Sequence, residues 1–180
     1  MIDLTKKGLP NVITINGKPF SIYTDYRVWM KFEISLVHAK KTDLIDIDYL
    51  FKNEKPIYCD VRELMPFARP HNELPRDIGK SSDAIPIVFE LDSDLIYSAF
   101  LGQYGIDLVE VEELHWHKFL ALLRGLNDST LMHQVMQYRL YEKQTRKDVD
   151  PYELLRDMWE IERVTEEEQA EIDEVNALFK

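Results

Sequence analysis

At 180 residues, with 45% hydrophobic and 11% aromatic content, the chain has the apolar material for one domain with a core, which excludes global disorder. A formal charge of −11 and a pI near 4.9 exclude nucleic acid as the main partner, because phosphate binding needs a basic surface; they fit solubility and attraction to basic partners. The single cysteine, Cys59, excludes an internal disulfide and a cysteine-based zinc cage. No apolar run approaches the roughly 18 residues of a membrane span, and Met1 to Lys7 lead into no apolar signal core. The expectation is a soluble intracellular protein that binds neither membrane nor nucleic acid.

In chain order, Val12 to Ile22 predicts a small β-hairpin. Val12-Ile13-Thr14-Ile15 is rich in β-branched residues, Asn16-Gly17 is a strong two-residue hairpin turn, and Phe20-Ser21-Ile22-Tyr23 is the return strand, with Pro19 restricting it to an edge. Thr24 or Asp25 caps a helix over about 26–40, whose inward face carries Trp29, Phe32 or Glu33, Leu36 and Val37. Thr42 or Asp43 starts a shorter helix to about Phe51. Asp60 caps another to about Ala68, with Val61, Leu64, Met65 and Phe67 on its face and Pro66 disturbing its end. Arg69 to Pro86, at about 69–86, is the one long polar connection, and a loop of that length is expected to be mobile.

Ile87-Val88-Phe89 reads as a short extended piece, after which Asp92 or Ser93 opens a helix with Leu95, Ile96, Ala99 and Phe100. Tyr104-Gly105 ends it, Gly105 being a natural left-handed residue past a helix C-terminus. Asp107 then caps a central helix at about 108–126. Its apolar stripe is Leu108, Val111, His115, Phe119, Leu122 and Leu126, with Trp116, Leu120 and Leu123 in a second stripe beside it. An arc that wide predicts packing from more than one side. Ser129 or Thr130 caps a helix carrying Leu131, Met132, Val135, Met136, Tyr138 and Arg139. Asp148-Val149-Asp150-Pro151 starts another, with Pro151 at its first position, Tyr152, Leu155 and Trp159 on one side and Leu154, Met158 and Ile161 beside them. Ile172, Val175 and Phe179 follow at helical spacing beyond Thr165.

The expected fold is therefore mainly α: a helical bundle around the central apolar helix with a small N-terminal β-hairpin. Residues 1–141 form the domain, and 142–180 form an acidic amphipathic helical extension. From Glu142 to Lys180 there are 13 acidic and 6 basic residues, so −7 of the −11 lies there.

Few residues suggest chemistry. His115 and His117 are two apart and would point about 200° from each other on a helix, so they cannot share one ion, and Glu112 adds only a second ligand. His115 reads as a hydrogen-bonded core residue and His117 as a solvated one. Asp43 to Asp48 lacks the glycine and terminal glutamate of a calcium loop. There is no Gly-rich phosphate cradle, no Gly-x-Ser-x-Gly elbow and no cysteine with a matched histidine. Cys59 abuts a helix start, which could lower its pKa, but the expectation is an ordinary, partly buried thiol. No metal, cofactor or enzymatic activity is expected. Two readings stand for Arg139, a surface residue or the partner of a carboxylate near the central helix. Two also stand for the stripe Tyr152, Leu155 and Trp159: packing on the protein's own core, or docking a second subunit or another helix.

Several runs resemble the bacteriophage "gene product fifteen" family. They are Tyr97, Phe100, Tyr104-Gly105-Ile106-Asp107-Leu108, Leu114-His115-Trp116, Lys118-Phe119, Ala121-Leu122-Leu123, Gly125-Leu126, Met136 and Tyr138-Arg139. Asn16-Gly17-Lys18, Ile22, Thr24-Asp25-Tyr26-Arg27, Trp29 and Phe32-Glu33 are similar to that family's opening. The resemblance implies structural roles for Gly17, Asp25, Trp29, Gly105, Asp107, His115, Phe119 and Arg139. It implies a protein of the tail module of long-tailed phages and prophages of Gram-positive bacteria, acting as a tail assembly chaperone in the host cytoplasm. The implied partners are the tape-measure and tail-tube proteins; the alternative is a structural tail or adaptor component kept in the virion, and a homo-oligomer is possible in either case. Tyr104, Trp116, Tyr152, Leu155 and Trp159 are the expected partner-binding residues.

Overall fold

The computed structural model describes residues 2–40, 44–70, 86–141 and 150–161. Most of the long connection after Arg69, and the acidic sequence holding Ile172, Val175 and Phe179, lie outside these. The described elements are strands β1 (Val12–Ile15) and β2 (Lys18–Ser21), and helices α1 (Tyr26–His38), α2 (Val61–Ala68), α3 (Ser93–Tyr104), α4 (Trp116–Arg124), α5 (Leu131–Arg139) and α6 (Pro151–Trp159). The fold is mainly α with one antiparallel hairpin. It divides into two compact units, residues 1–82 with 87–134 and residues 83–86 with 135–180. Where the sequence suggested a break after Tyr141, the units meet along the chain inside α5.

In the first unit β1 and β2 pair with Val12 opposite Ser21 and Ile15 opposite Lys18. Asn16 and Gly17 both take positive φ, 50° and 77°, as a two-residue turn matching the twist of its strands demands. The hairpin is not left alone. Tyr23 N–H donates to Leu50 O and Lys52 N–H to Ser21 O, so the chain at 50–52 covers the outer side of β2. Among the described residues 44–51 of the helix expected from Thr42 or Asp43 to Phe51, only a 3-10 turn, Asp48–Leu50, forms, and the Leu50 carbonyl and Lys52 N–H are given to the hairpin. Alongside β1 lies α2, whose capping box is complete: Asp60 caps it while Glu63 reaches back to the Asp60 N–H, and the other Glu63 oxygen accepts from Asn16 N–H. Pro66 sits inside α2 without breaking it. Ile87 to Phe89 forms no strand.

The core is aromatic. Phe119 of α4 is fully buried, with ring centroids of Tyr26, Phe100 and Trp116 at 4.9, 5.1 and 5.5 Å in stacked geometry. Trp29 is equally buried and donates its indole N–H to Tyr23 O. Contacts of this kind are worth about 0.5–1.5 kcal/mol per aromatic pair beyond the burial itself. Gly105 ends α3 with φ of 65°, as its sequence context requires.

The central helix needs correction. It spans Trp116–Arg124, about half the expected 108–126. Residues 108–110 form a turn, and Leu114-His115 is extended, with Asp25 and His115 facing each other in an isolated β-bridge. In a continuous helix the N–H groups of Leu114 and Trp116 would bond within the helix. Here Leu114 N–H donates to Asp25 Oδ2 and Trp116 N–H to Thr24 O. Of the stripe expected through 108–115, Leu108 is buried and Val111 and His115 are half-buried, without a helix.

Candidate functional site

Two places concentrate the residues singled out by sequence. The first is the junction where α1 and α4 begin side by side. Asp25 caps α1, its Oδ1 accepting from Arg27 N–H at 3.0 Å, and its Oδ2 accepts from Leu114 N–H at 3.1 Å. Tyr26 N–H donates to Leu114 O and Trp116 N–H to Thr24 O, at 2.8 and 2.7 Å. The Arg27 guanidinium donates to Leu108 O and Val111 O, and the Tyr26 hydroxyl also donates to Leu108 O. Thr24 to Arg27 thus grips both ends of the 108–116 segment. Asp107 accepts from the N–H groups of Val109 and Glu110, so it caps the 108–110 turn and not a long helix.

His115 makes hydrogen bonds as expected but is half-buried, while His117 is placed differently from its expected setting. His115 is the N-cap of α4, its Nδ1 accepting from His117 N–H at 3.0 Å and its Nε2 lying 2.9 Å from Pro10 O. Those two roles fit a neutral ring with the proton on Nε2. His117, expected in solvent, is 4% exposed, with Nε2 2.9 Å from Phe67 O and Nδ1 buried without a partner. The opposed orientation inferred from helical spacing does not apply, since His115 precedes the helix; the rings are 5.2 Å apart. Burial pushes the His117 pKa down to about 4, against a partial rise from the Phe67 carbonyl, and burial lowers that of His115 too. Among the described residues no three His, Cys, Asp or Glu side chains are gathered as metal ligands would be. The Cys59 thiol is pushed up to about 11 by burial and then by Glu63 and Asp60, so the helix start does not activate it.

Trp116 was expected to offer a partner-binding face. It is 1% exposed and its indole N–H donates to Ala68 O at 2.7 Å, so it belongs to the core. Tyr104 is half-buried, its hydroxyl donating to Leu122 O and its ring set edge-on to Phe100. An ion pair the sequence did not reveal joins α1 to the end of α2: the largely exposed Arg69 donates to both oxygens of the buried Glu33, at 2.7 to 3.1 Å.

The second place is α6, in the other unit. Asp150 caps it, accepting from Tyr152 N–H, and Pro151 holds its first position. Tyr141 stacks on Tyr152 at 5.6 Å, and the Arg139 guanidinium donates to Trp159 O and Pro86 O. Arg139 is 7% exposed, which overturns the surface reading. Leu155 and Trp159 are half-buried, and Tyr152 keeps half its surface open. The neighbouring stripe is the exposed one: Leu154 is 57% and Met158 76% exposed, one turn apart. The expected anchors Leu155 and Trp159 thus lie partly inside; periodicity alone does not distinguish the covered stripe from the open one.

The architecture is that of a small helical protein whose most distinctive motifs are turned inward as fold joints. The family model of the Bacteriophage Gp15 protein matches residues 6–162, and the chain belongs to that family. No curated protein and no solved structure matches it. No described helix is long and apolar enough to cross a membrane.

Proposed function

We propose that this chain is a non-enzymatic assembly factor of a phage or prophage tail. It would act in the host cytoplasm, lending apolar cover to the helical tape-measure protein until tail-tube subunits polymerise around it. The observation that carries this reading is α6. Within a chain of this family and of strongly acidic charge, it leaves Leu154 and Met158 on the outside of an amphipathic helix. An exposed apolar strip on an acidic protein combines affinity for apolar helices with solubility of the resulting complex.

Co-expression with fragments of the tape-measure protein tests it. The fragments should stay in the supernatant with the chain and precipitate without it; equal precipitation in both cases ends the proposal. Purified particles separate the alternative, because a chaperone leaves before maturation while a structural tail or adaptor component remains at fixed stoichiometry.

A further inference from the structure

We propose that His115 and His117 form an acid-sensitive latch, whose protonation frees Pro10 and the end of α2 from the start of α4 while α1, α3 and α4 stay packed. The latch is a property of the fold and does not depend on the assembly role. The two rings stand at the N-terminus of α4 with their centroids 5.2 Å apart, His115 at the cap and His117 two residues on. Each Nε2–H is held by a backbone carbonyl, Pro10 O for His115 and Phe67 O for His117, both at 2.9 Å. That leaves a lone pair on each Nδ1. On His115 the lone pair accepts from His117 N–H at 3.0 Å; on His117 it is buried and has no partner.

Protonation undoes both positions, because an imidazolium ring has two donors and no acceptor. A hydrogen on His115 Nδ1 opposes the His117 N–H that this nitrogen had capped. The ring must turn away, and its hold on Pro10 O goes with it. A hydrogen on His117 Nδ1 is a charged donor without an acceptor, on a side chain 4% exposed, and such a group is costly to keep inside. The Phe67 ring, 4.4 Å away, covers the face of the His117 ring, whereas the new hydrogen lies in the ring plane.

The charges around the pair work against a proton. Both rings sit at the positive end of the α4 macrodipole. Beyond burial, Lys118 and the chain's amino terminus oppose a proton on His115, and Glu113 favours one. The amino terminus, His115 and Arg124 oppose one on His117. Carboxylates on the neighbouring elements are engaged elsewhere: Asp25 by the N–H groups of Arg27 and Leu114, and Glu63 of α2 by those of Asn16 and Asp60. Opening the latch is therefore how the pair reaches water. The rings that stack on Phe119 from α1 and α3, those of Tyr26 and Phe100, gain no charge in acid and keep the three helices together.

Hydrogen–deuterium exchange of the full chain tests this between pH 7 and about pH 4.5, read by mass spectrometry and corrected for the intrinsic pH dependence of exchange. Amides of residues 66–69 and 114–118 should lose protection at least tenfold, as a ring that binds its proton near pH 4 when closed and near 6.5 when free requires. Amides of α3 should lose less than threefold. The local loss should vanish in His115→Asn with His117→Gln, whose neutral side chains keep a cap acceptor at 115 and a donor toward Phe67 O. If that double variant does not fold, the histidine ring shifts of the parent, followed by NMR over the same range, take its place: the rings must gain protons where protection is lost. Unchanged protection at 66–69 and 114–118 down to pH 4.5 overturns the latch. So does a loss that persists in the folded double variant or that precedes ring protonation. A loss in α3 as large as that at 114–118 also overturns it, since the whole unit would then be unfolding.

Discussion

At the Asp25 junction, segments whose carboxylate tie joins residues 89 apart in sequence are held by that carboxylate, a guanidinium and two reciprocal backbone bonds. On α6, an apolar ridge of similar length is left facing water. The junction holds two of the runs that resemble the family, Thr24 to Arg27 and Leu114 to Trp116, and they are spent on joining α1 to α4. Their identities are dictated by geometry, since only a carboxylate at 25 can cap one helix and accept from the chain leading into another. The ridge makes no such demand, because any apolar residues at 154 and 158 would serve. The motif and the proposed partner surface are therefore different parts of this molecule, and each can be altered while the other is monitored.

The largest effect should come from Asp25→Ala. Loss of the cap of α1 costs about 1 kcal/mol, and an orphaned Leu114 N–H beside a lost charge-assisted acceptor costs about 1.5–3 kcal/mol more. Urea unfolding followed by the fluorescence of Trp29 and Trp116, both in the first unit, should show a total loss of about 2.5–4 kcal/mol. Asp25→Asn, which keeps an acceptor oxygen, should lose roughly half as much. A loss below about 1 kcal/mol for the alanine variant would show that the junction does not join the two helices energetically.

Acid should break the same region next. Both histidines have folded pKa values below the ordinary 6.5, His117 at about 4. The unfolded chain therefore binds these protons more readily than the folded one. Stability is complete above about pH 6.5 and falls as the pH drops toward 4, His117 contributing a slope of up to about 1.4 kcal/mol per pH unit. The difference in unfolding free energy between pH 7 and pH 4.5 should shrink by about 2–3 kcal/mol in His117→Gln relative to the parent. An unchanged difference would mean that His117 is protonated as easily in the fold as outside it.

How far the sequence foretold these regions depended on the distance over which each bond acts. The hairpin turn at Asn16-Gly17, the capping box of Asp60 and Glu63, the left-handed Gly105 and the Pro151 start were legible, because each is a local arrangement of a few residues. The stretch 108–115 misled, since its apolar spacing matches a helix while its N–H groups are claimed from across the chain by Thr24 and Asp25. His117 was misjudged for the same reason: the helix begins one residue after His115, so spacing did not govern the two rings. On α6 the period revealed two apolar stripes. Which one is covered depends on Tyr141 and Arg139, which no local pattern encodes.

A smaller loss is expected at the floor of the junction. Trp116→Phe removes the donor to buried Ala68 O and leaves a small void, so about 2 kcal/mol should be lost. Tryptophan fluorescence from Trp29 remains available to follow unfolding in this variant. If stability is unchanged, the Ala68 carbonyl has found water, and α2 is held to α4 by packing alone.

The smallest effect on stability, and the most discriminating, belongs to Met158→Ser. The side chain is 76% exposed, so replacing it should change unfolding free energy by less than about 0.5 kcal/mol. Solubilisation of tape-measure fragments should nevertheless fall, while Asp25→Asn, destabilised but with its ridge untouched, should retain it at temperatures where it remains folded. The reverse outcome, with Met158→Ser fully active and folded Asp25→Asn inactive, would move the partner surface from α6 to the junction and undo the separation of motif from surface. Pairing the two variants in one experiment distinguishes a lost contact from a lost fold, which neither variant can do alone.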